Sequence, residues 1–353
     1  MSMNIHKSEM KAWAKENLVG VENIAFPSFS PDLSELDEDG IRWDVQQSIR
    51  HGFFSTLCAV ETGMTFDEIK RFVSIVADEG RGKILVSLVL LVDSFEKTMA
   101  LIRHAEKVGC HSVTLGFPTN YYPHDLEAFY ESAKTIIEAT NLAITIYPSP
   151  HFNLGRFHHS GFPPTLVARL AELPNVVGCK VGEPGLVADI HRLCRGQILI
   201  SNPVERFLPL MWQSCQMQWI GAGCYEYMQS VDKPYVVDYF RMIREGKTKE
   251  GMEIFWKLNS IRSFFEQQHG PTAMSGTYNW PMQKYYLWLV GGNGGYTRQP
   301  CMKIHKSETE PYKRHLNALG IDVNENEEEF YYGKMNYEKM RKGTLRVKRI
   351  EDL

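Results

Sequence analysis

At 353 residues, with 39 basic and 42 acidic side chains and a net charge of −3, the chain has no surplus of positive charge for a nucleic-acid backbone or an anionic membrane. Its longest apolar stretch, KILVSLVLLV at 83–92, is too short to cross a bilayer, which takes about 20 residues. Seven scattered cysteines without a CxxC pair exclude a disulfide frame or a zinc signature and suit reduced thiols; with a charged, polar start that lacks a secretory apolar core, they lead to the expectation of a cytoplasmic protein.

In chain order, ENIAFPSF (22–29) and GFFSTLCAV (52–60) are short apolar runs, followed by an amphipathic helix over 65–80. That helix opens with Thr65 and has Glu68 three residues on, the capping-box spacing. KILVSLVLLV (83–92) leads to a helix over 93–110 that starts at an Asp cap, and HSVTLGF (111–117) leads to one over 124–140. LAITIYP (142–148) precedes a helix over 163–175 with proline in its first turn. NVVGCKV (175–181), QILIS (197–201) and QWIGAG (218–223) complete eight runs. Most are β-branched and apolar on both faces, as buried parallel strands are. Eight strand–helix units in series, with no GxGxxG after the first, favour an α/β fold of the (β/α)8 barrel type over a doubly wound sheet.

The barrel, with its N-terminal lead-in, is expected over 1–230. Beyond it the pattern is helical through 231–321: two helices broken at Gly246, then NWPMQKYYLWLVGG and SETEPYKRHLNALGI. The tail, 322–353, is rich in charge (ENEEE, KMRKGTLRVKR) and reads as a solvated extension, or as an arm for a neighbouring subunit.

In a (β/α)8 barrel, chemistry sits at the C-terminal ends of the strands. Here those ends are Leu57–Glu61, GFPTNYY, Tyr147, Lys180, Asn202 and the GAG run around Ala222. Lys180 and Tyr147 fall on adjacent strands at similar depth. Desolvation penalises an ammonium, so an amine in a dry pocket is free to attack a ketone and form an imine, an electron sink for making or breaking a neighbouring C–C bond. A phenol within reach shuttles the protons. The structural alternatives are an ion pair for Lys180, for instance with Glu183, and a core role for Tyr147.

ITIYPSP followed by PNVVGCKVG resembles the dihydrodipicolinate synthase and N-acetylneuraminate lyase family, class I aldolase-type barrels that act through a lysine imine, typically with pyruvate. The resemblance covers about 20–321. It implies Lys180 as the imine lysine, Tyr147 as the strand-5 tyrosine, and Tyr121, in FPTNYYP, as a tyrosine contributed across a subunit interface. It also implies a homo-oligomer, dimer or tetramer. The family's G-T-T-G-E, whose hydroxyl and backbone N–H groups hold the pyruvate carboxylate, is replaced here by TLCAVETGMT (56–65). Leu57 and Cys58 stand for the threonines, leaving Thr56, Thr62, Cys58, Glu61 and backbone N–H groups as candidates for the substrate. Dihydrodipicolinate synthases place an arginine where Phe152 stands, which argues against that particular synthesis. Arg156, His151, His158 and His159 are nearby candidates for recognising a different partner. Phe152, Tyr121, Tyr122 and Tyr225 suit an aromatic one, as in the hydratase-aldolase branch. No cofactor or metal site is expected; HH at 158–159 lacks partners at ligand spacing, and GGNGG (291–295) reads as a helix cap and turn. The reading is thus a Schiff-base lyase or aldolase for pyruvate or a related 2-oxo acid; its rival is a barrel that binds a small molecule without chemistry.

Overall fold

The computed structural model describes residues 5–118, 120–149, 152, 154–159, 162–274, 277–299 and 301–345, with the side chains of 273 and 274 excepted. Its centre is one parallel sheet of eight strands: β1 Gly20–Ala25, β2 Ser55–Cys58, β3 Leu85–Val89, β4 Ser112–Leu115, β5 Ala143–Ile146, β6 Val176–Lys180, β7 Leu199–Ser201 and β8 Trp219–Ile220. They pair in the order β7-β6-β5-β4-β3-β2-β1-β8. β7 comes back beside β8, so the sheet forms a nearly closed (β/α)8 barrel. Each apolar run of the sequence overlaps one strand, β1 beginning two residues before its run.

Helices α2 Glu38–Arg50, α3 Phe66–Gly80, α4 Phe95–Val108, α5 Leu126–Glu138, α6 Pro164–Leu170, α7 Pro184–Cys194 and α8 Leu208–Cys215 surround it, after an N-terminal α1, Met10–Asn17. Thr65 and Glu68 close a reciprocal capping box at α3, an arrangement that contributes about 1 kcal/mol. The α4 cap is displaced by one residue from the expectation: Ser94 Oγ accepts from Lys97 N, while Asp93 pairs with the Lys97 ammonium at 2.8 Å. A serine there satisfies an orphan helix N–H and leaves the carboxylate for the ion pair.

Alternation along the strands sorts the interior into layers. Glu22, Ser55 and Ser87 form a deep polar layer: the Glu22 carboxylate accepts from Ser55 Oγ (3.0 Å), Ser87 Oγ (2.6 Å), Trp219 Nε1 (3.3 Å) and Ala222 N (3.1 Å). Two residues on, Ile24, Leu57 and Val89 make the floor of a cavity. The opposite end of the barrel is closed by α1, whose Met10 and Ala14 are buried with Leu18, Ala143, Val177 and Trp219. Among the described residues, the barrel interior above the polar layer opens at the C-terminal mouth.

The C-terminal helices dock beside that mouth. α9 Tyr235–Arg244 and α10 Thr248–Lys257 are separated at Gly246, which takes a left-handed φ of 80°. A third helix, α11 Asn259–Met274, follows α10 directly where one continuous helix was expected. Its Arg262, fully buried, forks onto Glu205 after β7 at 2.5 and 2.8 Å. Tyr239 of α9 donates to the same carboxylate, so one buried acid ties two helices to the barrel. α12 Trp280–Leu289 and α13 Lys306–Ala318 complete this region.

The charged tail departs from the expectation of a solvated extension. It forms α14 Glu327–Tyr332 and α15 Lys334–Arg341, folded against this chain's own barrel. Phe330 is buried in edge contact with Tyr285 (centroids 5.0 Å) and packs on Trp288. The acidic run finds partners: Glu329 accepts from Trp288 Nε1 at 3.1 Å, and Glu325 and Glu327 face Lys313. Asn336 donates to Phe29 O, and Lys339 pairs with Asp39. Composition misled because Glu325, Glu327 and Glu329 find partners within the fold and one aromatic anchors the segment.

Candidate active site

Lys180 ends β6 inside the mouth with 8% of its surface exposed. Among the described residues its ammonium position has one direct acceptor, Ala222 O at 3.3 Å, and it lies 4.9 Å from the centre of the Tyr147 ring. Among the described residues no carboxylate comes within 4 Å of it. The proposed structural partner, Glu183, instead stands at the start of α7, half exposed, and faces His159 at 3.6 Å. The lysine stem is fitted against a glycine: a Cβ on Gly221 would lie 3.2 Å from Lys180 Cγ and Cδ and 2.8 Å from Ser201 Oγ. Tyr225 fixes that turn by donating to Gly221 O (2.6 Å) and Pro203 O (3.0 Å); it is a buried brace.

The amine opens into a cavity of about 220 Å³. The floor is apolar, and Glu61, Tyr147 and Thr114 supply polar groups on its walls. Tyr278, Trp280, Gln283 and Phe265, from the C-terminal helical region, roof it. Trp280 and Tyr278 stack with centroids 4.6 Å apart. Glu61 folds back on its own turn, its Oε2 accepting from Val60 N at 3.0 Å. Burial pushes the Glu61 carboxyl above its usual range, against the pull of these backbone N–H groups and of Lys180. Tyr278 shares a hydrogen bond with Tyr147 and is raised well above the ordinary phenol value, first by burial, then by the nearby Tyr147 and Glu61.

Lys180, Tyr147, Glu61 and Ala222 of the sequence candidates therefore meet at one cavity. Others do not. Thr56 and Cys58 are one residue out of phase with Leu57 and Ala59, which line the cavity; they face away from it, Thr56 with its hydroxyl unsatisfied among the described residues and Cys58 wholly buried. Thr62 is buried, with its hydroxyl toward Ala59 O. Phe152 packs edge-on behind Tyr147, centroids 6.1 Å apart, and so steadies that ring from outside the cavity. Asn202 joins two loops, donating to Gly182 O and accepting from Val204 N. Tyr121 is engaged in its own chain: its hydroxyl donates to Ser132 Oγ at 2.6 Å and its ring packs on Phe95 and Phe117. Its neighbour Tyr122 is 73% exposed, under the Arg156 guanidinium. His151 lies outside the described residues. Among the described residues no cluster of metal-ligating side chains occurs, and no helix is long and apolar enough to cross a membrane.

A β6 lysine and a β5 tyrosine at the mouth of a (β/α)8 barrel define a class of lysine-bearing barrels. The chain belongs to the dihydrodipicolinate synthetase family, whose model matches residues 28–319. It is 32% identical over 295 residues to the 4-hydroxy-tetrahydrodipicolinate synthase of Thermotoga neapolitana, covering 81% of this chain and 94% of that one. The enzyme of the same name from Thermotoga maritima is 25% identical over the same shares. Among solved structures, dihydrodipicolinate synthase from Oceanobacillus iheyensis superposes with a TM-score of 0.72 at 16% identity, covering 88% of this chain and 99% of the other. N-acetylneuraminate lyase from Fusobacterium nucleatum gives 0.69 at 18%, over 85% and 98%; at such identities the likeness is one of fold. Members of this family are class I aldolase-type lyases.

Proposed function

We propose that the chain is a class I lyase or aldolase that holds pyruvate or a related 2-oxo acid as an imine on Lys180. One observation carries this reading: a nearly buried amine, with a single long hydrogen bond and no ion pair among the described residues, faces a cavity beside a phenol. The nitrogen lone pair adds to the ketone carbon; nitrogen gives up a proton and the former carbonyl oxygen gains one. Loss of that hydroxyl as water takes a second proton and leaves the protonated imine. Tyr147, beside the amine, is the group placed to move these protons. The adjacent carbon then gives up a proton to the Tyr147 oxygen, and the C–H electron pair moves toward the iminium nitrogen, giving an enamine that adds to an aldehyde, or the same steps run in reverse.

The substrate carboxylate finds no side-chain hydroxyl at the turn after β2, which presents Leu57 and Ala59 to the cavity and whose Val60 N–H is held by Glu61. Phe152, in the place of a carboxylate-binding arginine, and the apolar walls favour a partner with an uncharged, aromatic or aliphatic body, as in hydratase-aldolase chemistry. The same reading carries a cytoplasmic homo-oligomer, which light scattering on the purified protein checks.

Borohydride reduction in the presence of pyruvate tests the chemistry. A mass gain of one reduced pyruvate, mapped to Lys180 and absent in Lys180→Ala, is expected. A folded protein that gives no adduct with any of a panel of 2-oxo acids would return the barrel to the non-catalytic binders.

A further inference from the structure

We infer that Tyr278 is the second phenol of a proton relay contained within one chain, running from the reacting oxygen through Tyr147 to Tyr278 and on toward Glu61. The inference deepens the imine reading and rests on it.

Three observations converge. Tyr278 lines the cavity that holds Lys180, Tyr147 and Glu61. It shares a hydrogen bond with Tyr147, and Glu61 is near enough to act on its hydroxyl. The turn after β2 brings Leu57 and Ala59 to the cavity, so it offers no side-chain hydroxyl to continue a relay from Tyr147. Tyr121, the sequence candidate for a phenol brought in by a neighbour, is hydrogen-bonded to Ser132 of its own subunit. Tyr278 comes instead from the segment just before α12. It is held there by its stack on Trp280 and by the Asn279 cap, whose Oδ1 accepts from Met282 N at 3.1 Å.

The proton count closes. Carbinolamine formation moves one proton from nitrogen to oxygen, and dehydration delivers another to the departing hydroxyl. Tyr147 supplies a proton to oxygen and is refilled by Tyr278. Tyr278 is refilled by the Glu61 carboxyl when protonated, or by water. Enamine formation runs the chain in the opposite sense, and no electron donor or acceptor is needed. Glu61 is a positioning and buffering group here, held by Val60 N.

Tyr278→Phe keeps the ring and its stack on Trp280 while deleting the relay oxygen, so the fold is preserved. With pyruvate and cyanoborohydride, the variant is expected to reach the same final Lys180 adduct as the parent, but at least about tenfold more slowly. Tyr147→Phe is expected to slow it further, and the double variant to be no slower than Tyr147→Phe alone, since a relay broken once is not broken again. A parent-like rate for Tyr278→Phe, or multiplying effects in the double variant, overturns the relay. A second measurement needs no substrate: tyrosinate absorbance against pH. The parent minus Tyr278→Phe isolates the Tyr278 curve, and Tyr147→Phe minus the double variant gives the same curve without its partner. Losing the Tyr147 hydroxyl is expected to lower the Tyr278 ionisation, and an unchanged Tyr278 curve overturns the coupling. If the unsubstituted protein forms no pyruvate adduct, the imine reading fails, and this titration alone decides whether the two phenols act together.

Discussion

Among the described residues three lysines are buried, and the surroundings of two of them, Lys284 and Lys180, differ in kind. Lys284, on α12, donates to Pro27 O at 2.6 Å and Ser28 Oγ at 3.2 Å, with Asp44 and Asp37 opposing its charge. Burial pushes it down to about 8, and the two acids pull the other way. Lys180 has one carbonyl at 3.3 Å, the face of a phenol and an open cavity. The first lysine belongs to a buried polar belt between α12 and α2; the second is left with room at its nitrogen. Burial alone therefore does not mark a reactive amine. On the imine reading proposed for Lys180, spare space beside the nitrogen does, together with a proton-transfer group.

Substitutions break the comparison in order of size. Lys180→Ala is expected to abolish the borohydride adduct while leaving the fold, seen by circular dichroism and thermal melting, close to the parent's. Lys284→Met is expected to do the opposite: stability in urea falls by about 3–5 kcal/mol because Asp37 and Asp44 lose their counter-charge, while the molecules that remain folded still trap pyruvate.

The belt also carries a pH signature. Burial pushes Glu226 from its ordinary 4.5 up to about 7, only one of its oxygens being bound, by Asn23 Nδ2 at 2.6 Å. The folded state thus holds a proton that the unfolded state has released between these values, and the contribution of Glu226 to stability is lost as pH rises through that window. Glu226→Gln, measured against the parent, is expected to gain up to about 3 kcal/mol of relative stability between pH 4.5 and 7. A flat difference would show that the acid is ionised throughout. The smallest effect is expected at the mouth. Gly221→Ala displaces the lysine stem and the buried Ser201 hydroxyl by a few tenths of an ångström, so adduct formation slows by about ten- to a hundredfold and stability falls by about 1 kcal/mol.

The barrel was legible because buried parallel strands are written as short β-branched runs, which need no knowledge of register. That Lys180 and Tyr147 meet at one mouth was legible because each ends such a run. Thr56 and Cys58 were misplaced for a reason of phase: side chains alternate, and a shift of one residue carries them from the cavity to the helix side. Nothing local marks Tyr278, nearly 100 residues after Lys180 in the chain. It becomes a neighbour only because α11 and α12 fold back over the mouth, held in part by the Arg262–Glu205 pair. The acidic tail defeated composition because Phe330 anchors it and Lys313 and Trp288 answer its carboxylates.

Gly221 carries a consequence for redesign. With only hydrogen where another residue would place a carbon, the eighth strand's exit sets how high the amine stands, so the bottom of the chamber offers no slack for a bulkier ketone. Enlargement has to come from the lid, where Trp280 and Phe265 belong to helices outside the sheet and can be trimmed without disturbing the footing of Lys180.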